Sequence, residues 1–330
     1  MKKLTSLLLT LALVFSLAAC GGNAPSNTQT PGAPTTQTTP APAAPAPAEP
    51  APVQPDTSVT VTDMTGREIT LTEPAKRIVA LTAADCEILY ALGAGDTLVG
   101  RGEYCDWPAE VMNGPSVESG YEANIEQIIA LQPQVLLMGT MAQTEEQVAA
   151  LQKAGIQVVV SDADDIAGTY ETITMIGALM GKDAEAAALV DSMKATFAEL
   201  QTKAGDGSKS VYFEVSPLQW GLWAAGKNTF MDEIAQMLGV TNVFADVDGW
   251  GEVSEEQVIQ RAPDYIVTIS MYFGEGPTPG EEILSRPGWE NIPAVKNGAI
   301  LNLQNNELSR PGPRLADGAQ MMHDFISGTN

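Results

Sequence analysis

From Asp183 to Lys203 the chain reads DAEAAALVDSMKATFAELQTK, with Ala186, Leu189, Val190, Met193, Phe197 and Leu200 recurring at three- and four-residue intervals. That period puts them on one stripe of a helix and leaves Glu185, Asp191, Lys194 and Glu199 on the opposite face. Gly181 ahead and GDGS behind bound the helix, which at about 1.5 Å per residue runs roughly 30 Å, the width of a small domain. The segments on its two sides are alike. IEQIIALQPQVLL (Ile125 to Leu137) and EEQVIQRAPDYIV (Glu255 to Val267) each give a Glu-Gln pair, an apolar helix, a proline and a short strand. Asn124 with Gln127, and Ser254 with Gln257, fit the N-cap and N3 positions of a capping box. Pro133 and Pro263 end the helices before strands at Gln134 to Met138 and Tyr265 to Ser270. A fainter echo pairs EILYALGAG (Glu87 to Gly95) with EIAQMLGVT (Glu233 to Thr241). The spacing is far longer than a solenoid repeat, so it predicts two related lobes joined by one helix.

The other periodic stretches complete that picture. Val59 to Leu71 alternates and turns at Thr65-Gly66, a hairpin. Arg77 to Leu81 is a strand, Asp85 to Leu92 a helix stopped by Gly93, and Thr97 to Gly100 leads into another strand. Thr144 to Ala154 and Ile166 to Met180 are helices, with the strand Gln157 to Ser161 between them. Beyond the central helix come the strand Ser210 to Val215, the helix Phe230 to Leu238, the strand Ala299 to Leu303 and a closing helix from Leu315 to Ile326. Strands that alternate with helices and are apolar throughout predict an α/β fold: two lobes with mostly parallel central sheets joined by a single long helix. The predicted division is a signal over 1–20, a tether over 21–57, lobes over 58–182 and 204–330, and the joining helix over 183–203.

The first residues carry a different signal. Lys2 and Lys3 precede an apolar run from Leu7 to Ala19, too short to span a bilayer and followed by small polar residues, so it reads as an export signal. Leu17-Ala18-Ala19-Cys20, followed by two glycines, resembles the lipobox of bacterial lipoproteins, which implies cleavage before Cys20 and lipidation there. An ordinary signal peptide with an incidental cysteine is the alternative. Asn23 to Thr57 is nearly all Pro, Ala, Thr, Gln and Ser, a composition that cannot offset the entropy of ordering. It predicts a disordered leash that, at about 3.1 Å per residue, reaches on the order of 100 Å.

The 41 acidic and 17 basic side chains give a formal charge of -24, which argues against nucleic acid or anionic lipid as a partner. Beyond Cys20 the only cysteines are Cys86 and Cys105, expected as two free, half-buried thiols, with one bridge as the alternative. No HExxH, no G-x-S-x-G and no cysteine with a plausible histidine partner is present, since His323 is the single histidine. Gly93-Ala94-Gly95 follows a helix instead of preceding one, and Asp162, Asp164 and Asp165 lack the spacing of a calcium loop and are expected to cap the next helix.

RIVALTAADCEILYALGAGDTLVG, EYCDWP, NIEQIIALQPQVLL and LQKAGIQVVVSD, with FMDEIAQMLG, VSEEQVIQRAPDYIV and SRPGPR in the second half, resemble the successive blocks of one family. It is that of the substrate-binding proteins of ABC importers for iron-siderophore complexes and cobalamin, the helical-backbone or class III type. The resemblance runs from about Val59 to the end. It implies a ligand cleft between two lobes, little hinge motion, no enzymatic activity, no cofactor, a monomer, and a place on the extracytoplasmic face of a bacterial membrane, held by the lipid anchor. It also implies that Glu126 and Glu256 grip arginines of the membrane permease. Both stand at the second position of a helix, where the dipole favours a carboxylate, so helix-start stabilisation is the simpler role.

For the cleft, aromatic residues in loops after strands are the candidates: Tyr104, Trp107, Tyr121, Trp220, Trp223, Trp250 and Tyr272. In glycine-rich loops they suit a broad flat ligand or a bulky chelate. Arg310 matches a family arginine near the cleft; it pairs with ligand or braces Glu307. EYCDWP is similar to a stretch of the cobalamin binders, and few arginines suit a near-neutral corrinoid. Ferric hydroxamates follow closely, and haem, with Met138, Met141 or Met271 as possible ligands, is a third option. One histidine cannot build the nitrogen-rich sphere of zinc and manganese receptors, which argues against a bare metal site. A ligand sensor or an anchored extracellular enzyme remain the readings from other classes.

Overall fold

The computed structural model describes residues 57–329 except 120–122, 141–143, 273 and 305. The export signal, Cys20, the tether to residue 56, Tyr121 and Met141 lie outside the described residues. β1 (Val59–Thr62) and β2 (Glu68–Leu71) form the expected antiparallel hairpin. Asp63 closes its turn by accepting from Thr65 and from the backbone and guanidinium of Arg67. There follow β3 (Ile78–Ala80), α1 (Ala83–Ala91), β4 (Leu98–Gly102), β5 (Ser116–Val117), α2 (Ile125–Ala130), β6 (Val135–Met138), α3 (Glu145–Lys153) and β7 (Gln157–Val160). The strands make one parallel sheet in the order β5-β4-β3-β6-β7. Ile78 to Ala80 and Val135 to Met138 are buried throughout, because helices cover both faces of such a sheet.

α4 (Ile166–Leu179) leads into α5 (Asp183–Thr202). The second half then runs β8 (Ser210–Ser216), β9 (Trp223–Ala225), α6 (Phe230–Met237), β10 (Thr241–Asn242), β11 (Trp250–Glu252), α7 (Glu255–Arg261), β12 (Tyr265–Thr268), α8 (Pro279–Ser285), α9 (Pro293–Asn297), β13 (Ile300–Asn302) and α10 (Leu315–Ser327). Its sheet runs β11-β9-β8-β12-β13, with β10 also on β8; β8, β10, β12 and β13 are parallel and β9 and β11 antiparallel. The duplication read from the sequence is therefore topological. In each half a first strand (β3, β8) lies between the strand after its helix (β4, β10) and the strand after the capped helix (β6, β12).

Two local expectations need correction. Trp223 and Trp250, assigned to loops, stand in β9 and β11, which pair with each other and through β9 with β8. Three-residue strands of Trp, Ala and Gly carry no periodic signal, and their pairing is set by partners distant in sequence. The capping box is complete at α7, where Ser254 and Gln257 exchange both bonds. At α2 Asn124 accepts from the Gln127 amide, but the Gln127 side chain accepts from Glu118 instead of returning to the cap.

Along α5, Ala186, Val190, Met193, Phe197 and Leu200 are buried and Leu189 is half-buried, as its stripe predicts. The helix packs on α4 on one side and on α6 and α10 on the other. One apolar cluster consequently runs from Ile78, Ile88 and Leu137 of the first half through the α5 stripe to Val211, Phe213, Ile234 and Leu315 of the second. Polar contacts join the halves as well. Asp165 caps α4, as expected of that aspartate cluster; the Asp164 carbonyl accepts from the Phe230 amide at 2.7 Å, and Glu233 accepts from the Ile166 amide at 2.8 Å.

Candidate functional site

The carboxyl ends of parallel strands are where an open α/β sheet presents its loops to a ligand. Beyond β8 and β12 these loops enclose a groove of about 680 Å³, within the range of small-molecule sites. Val215, Ser216, Trp220, Ile269, Met271 and Tyr272 line it. Trp220 is 73% exposed on a 3-10 turn, so its indole is offered to solvent and not packed away. The Tyr272 hydroxyl donates to the Gly276 carbonyl, which turns the ring's apolar faces to its surroundings. Pro217, Pro277 and Pro279 stiffen the rim, while the charges on it are the carboxylates of Glu275 and Glu282. No lysine or arginine lines the groove among the described residues.

Beneath it, Arg286 is buried and committed. It donates to Glu214 on β8 and to Glu282 on α8. Burial works against its charge, but those carboxylates outweigh it and hold the guanidinium above its ordinary value. The pair fixes α8, and with it one rim of the groove, to the central strand.

Tyr104 and Trp107 stand beyond the end of β4, in the other sheet, both exposed. Trp107 carries the Arg314 guanidinium over its ring, 4.6 Å from the centroid. This turn is latched to the second half by an ion network. Arg310 Nη1 donates to Glu87 at 2.9 Å and to Asp106 at 2.7 Å; Arg314 donates to Glu87 through Nε and Nη2, and to Glu307 through Nη1. Arg310 thus pairs with carboxylates of the first half, and it is Arg314 that braces Glu307. Burial disfavours the Arg310 charge, but Asp106 and Glu87 hold it above its ordinary value. The spacing of 223 residues between Arg310 and Glu87 left no trace in the sequence pattern.

The aromatic candidates therefore separate. Trp220 and Tyr272 share the groove; Tyr104 and Trp107 share the turn after β4. Trp223 is half-exposed on β9. Trp250 is half-buried against Phe230, ring centroids 5.4 Å apart, with its indole nitrogen 3.4 Å from Asp164. Met271, considered only as a haem ligand, lines the groove, and the rim carboxylates Glu275 and Glu282 were missed, for lack of any pattern that distinguishes a groove residue from a loop residue. Of the methionines considered for haem, Met138 is wholly buried in β6 and out of reach of a cleft ligand. His323 is paired with Asp324 on α10.

Glu126 and Glu256 are both exposed at the second residue of α2 and α7. Glu255, by contrast, accepts from the buried Trp289 indole at 2.9 Å and is structural. Hydrogen bonds from its own backbone amide and from Ser254 hold Glu256 below the usual carboxylate range. The thiols of Cys86 and Cys105 are free but fully buried, not half-buried, because the end of β3 and the turn after β4 close over them. Beside them Asp85 is buried, accepting from Ser161, with Oδ1 unpartnered. Burial pushes it up to about 7, against the pull of Thr82 and Ser161 and with a push from Asp162.

Two kindred α/β halves welded through one helix, with an aromatic groove at the strand ends, define a two-lobed ligand-binding protein. The family described as periplasmic binding protein matches residues 78–307, and the chain belongs to it. It is 33% identical over 275 residues to the uncharacterized ABC transporter substrate-binding lipoprotein YvrC of Bacillus subtilis (strain 168), covering 81% of this chain and 85% of that one. It is 28% identical to the vitamin B12-binding protein of Salmonella choleraesuis (strain SC-B67), over 78% of this chain and 92% of the relative. The crystal structure of an ABC-type Fe3+-hydroxamate transport system from Saccharomonospora viridis DSM 43017 superposes with a TM-score of 0.69 at 27% identity, covering 81% and 98% of the two chains. The chain is an extracytoplasmic substrate-binding protein of ABC transport and not an enzyme; what such a protein holds is cargo, not a cofactor.

Proposed function

We propose that this protein captures a near-neutral metal chelate, a cobalt corrinoid first, between lobes 58–182 and 204–330 and delivers it to its permease as a membrane-anchored monomer. The observation that carries the reading is the groove of Trp220, Met271 and Tyr272, which offers aromatic faces and two carboxylates and, among the described residues, no lysine or arginine. Arg286, Arg310 and Arg314 are engaged by carboxylates of the chain itself. A ferric catecholate or the propionates of haem would face the carboxylate of Glu275, and Glu282 whose charge Arg286 already shares, with no lysine or arginine among the described lining residues to pair with. Tyr104, Trp107, Trp223 and Trp250 are the further ligand contacts of this reading, from outside the groove's own lining. Arg310 acts by holding the turn of Tyr104 and Trp107. A ferric hydroxamate, also near neutral, is the second reading, favoured by the likeness to the hydroxamate transport system.

Glu126 and Glu256 are the docking carboxylates for basic side chains of the permease, one on each lobe, and lipidated Cys20 keeps the body within reach of it. The lipoprotein name of the Bacillus subtilis relative supports the anchor. The test is tryptophan fluorescence titration with cyanocobalamin, ferric hydroxamates, a ferric catecholate and haem. Saturable quenching by the corrinoid is expected; its absence alongside quenching by another chelate reassigns the cargo. A deletion strain that keeps transport-dependent growth would make the protein a sensor.

A further inference from the structure

Cys86 on α1 and Cys105 in the turn after β4 meet against one piece of backbone at the end of β3. Cys86 Sγ lies 3.8 Å and Cys105 Sγ 4.0 Å from the Ala80 carbonyl oxygen, and Cys105 Sγ is also 3.8 Å from that of Leu81. Both sulfurs thus face the same carbonyl, and the neighbouring Cys105 thiol, with burial, keeps Cys86 well above the ordinary thiol range. A buried thiol so held is neither a nucleophile nor a ready metal ligand. No group of three or more His, Cys, Asp or Glu among the described residues is placed to bind a metal. The pair has one remaining chemistry, and the compartment favours it, since extracytoplasmic space is oxidising.

We propose that in the exported protein Cys86 and Cys105 are joined as a disulfide. One cysteine thiolate attacks the sulfur of a disulfide-bearing oxidant and displaces a thiolate; the second then attacks the cysteine sulfur of that mixed disulfide and displaces the other. Two protons and two electrons leave the protein, and the oxidant's disulfide becomes two thiols. Because both sulfurs are buried in the fold, the bond closes during folding, before β4 seals the site. Its place gives it a use. The next residues, Glu87 and Asp106, share Arg310, so the crosslink lies beside the ionic latch and fixes the turn of Tyr104 and Trp107 to α1 independently of salt.

The exported full-length chain, denatured in iodoacetamide and digested with trypsin, tests this. Cleavage after Arg77, Arg101 and Lys153 puts Cys86 and Cys105 on separate peptides, and Cys20 falls on a third. The expected result is one linked species of the Cys86 and Cys105 peptides, alkylated only after reduction. Both peptides alkylated without reduction, or linked to other thiols, overturns the proposal. Refolding with dithiothreitol should lower Tm on the order of 5–10 °C; an unchanged Tm in confirmed reduced protein would show that the bond does not tie the turn.

Discussion

Glu87→Gln removes the charge from the carboxylate on which the latch between the halves converges while keeping its volume. Its side chain is 2% exposed and receives bonds from Arg310 at 2.9 Å and from Arg314 at 3.0 and 2.6 Å. Breaking a buried ion pair from one side costs about 3–5 kcal/mol, because the partner is left charged in a poor solvent. Here each arginine keeps a second carboxylate, Asp106 or Glu307, so roughly 2–3 kcal/mol is expected. For a body of this size that is a fall in Tm of about 5–10 °C. The control is Asp106→Asn, whose side chain is 51% exposed and whose bond should contribute about 1 kcal/mol or less. Thermal and urea unfolding of both variants, monitored by circular dichroism, give the comparison. Glu87→Gln costing no more than Asp106→Asn would refute the latch as a stabilising contact between the halves.

The other predictions bear on cargo, docking, protonation and backbone. Trp220→Ala should weaken binding of the cargo about tenfold or more, read by titration calorimetry, with Trp223→Ala the milder change. Glu126→Arg with Glu256→Arg should leave that affinity intact and stop uptake of labelled ligand into cells; unimpaired uptake would remove the docking assignment. Asp85 sits at about 7 in the fold against an ordinary 3.8. Between these values the folded chain holds a proton that the unfolded chain releases, so stability falls as pH rises through that window and levels off above it. Asp85→Asn should remove that decline, worth roughly 2–3 kcal/mol between urea melts at pH 5 and pH 8; parallel declines would contradict it. Gly93 and Gly239 end α1 and α6 at φ +67° and +68°, but an added Cβ meets nothing at Gly93 and lies 2.2 Å from the Gly205 carbonyl oxygen at Gly239. Gly93→Ala should therefore cost only the left-handed strain of about 1–2 kcal/mol, and Gly239→Ala at least about 1 kcal/mol more; equal costs would refute the close approach.

Much of the architecture could be read because it is local and repeated. The α5 stripe, the hairpin at Thr65-Gly66, and the proline that ends α2 and α7 each state their structure within a few residues. The twin blocks around Glu126 and Glu256 announced the pairing of halves that the strand order then displays. What stayed hidden depends on contacts made across the chain. β9 and β11 exist by pairing with β8 and with each other. α8 did carry a local signal, Thr278 with Pro279 and Glu281, and was overlooked for its brevity. At the site, counting aromatic residues found Trp220 and Tyr272 but could not separate them from Trp250, half-buried on Phe230, because exposure is a property of the assembled fold. The carboxylates that occupy Arg310 and Arg314 could not be matched to them by spacing at all.

The continuous apolar seam through α5 bears on how cargo is chosen and let go. Halves that share one interior cannot swing apart without exposing it, so the width of the mouth is decided when the chain folds and not when a guest arrives. Selection then rests on how well a guest fits a gauge of constant bore, with no spring to wind on entry. On the proposed reading, the effort of discharge then falls on the membrane machinery.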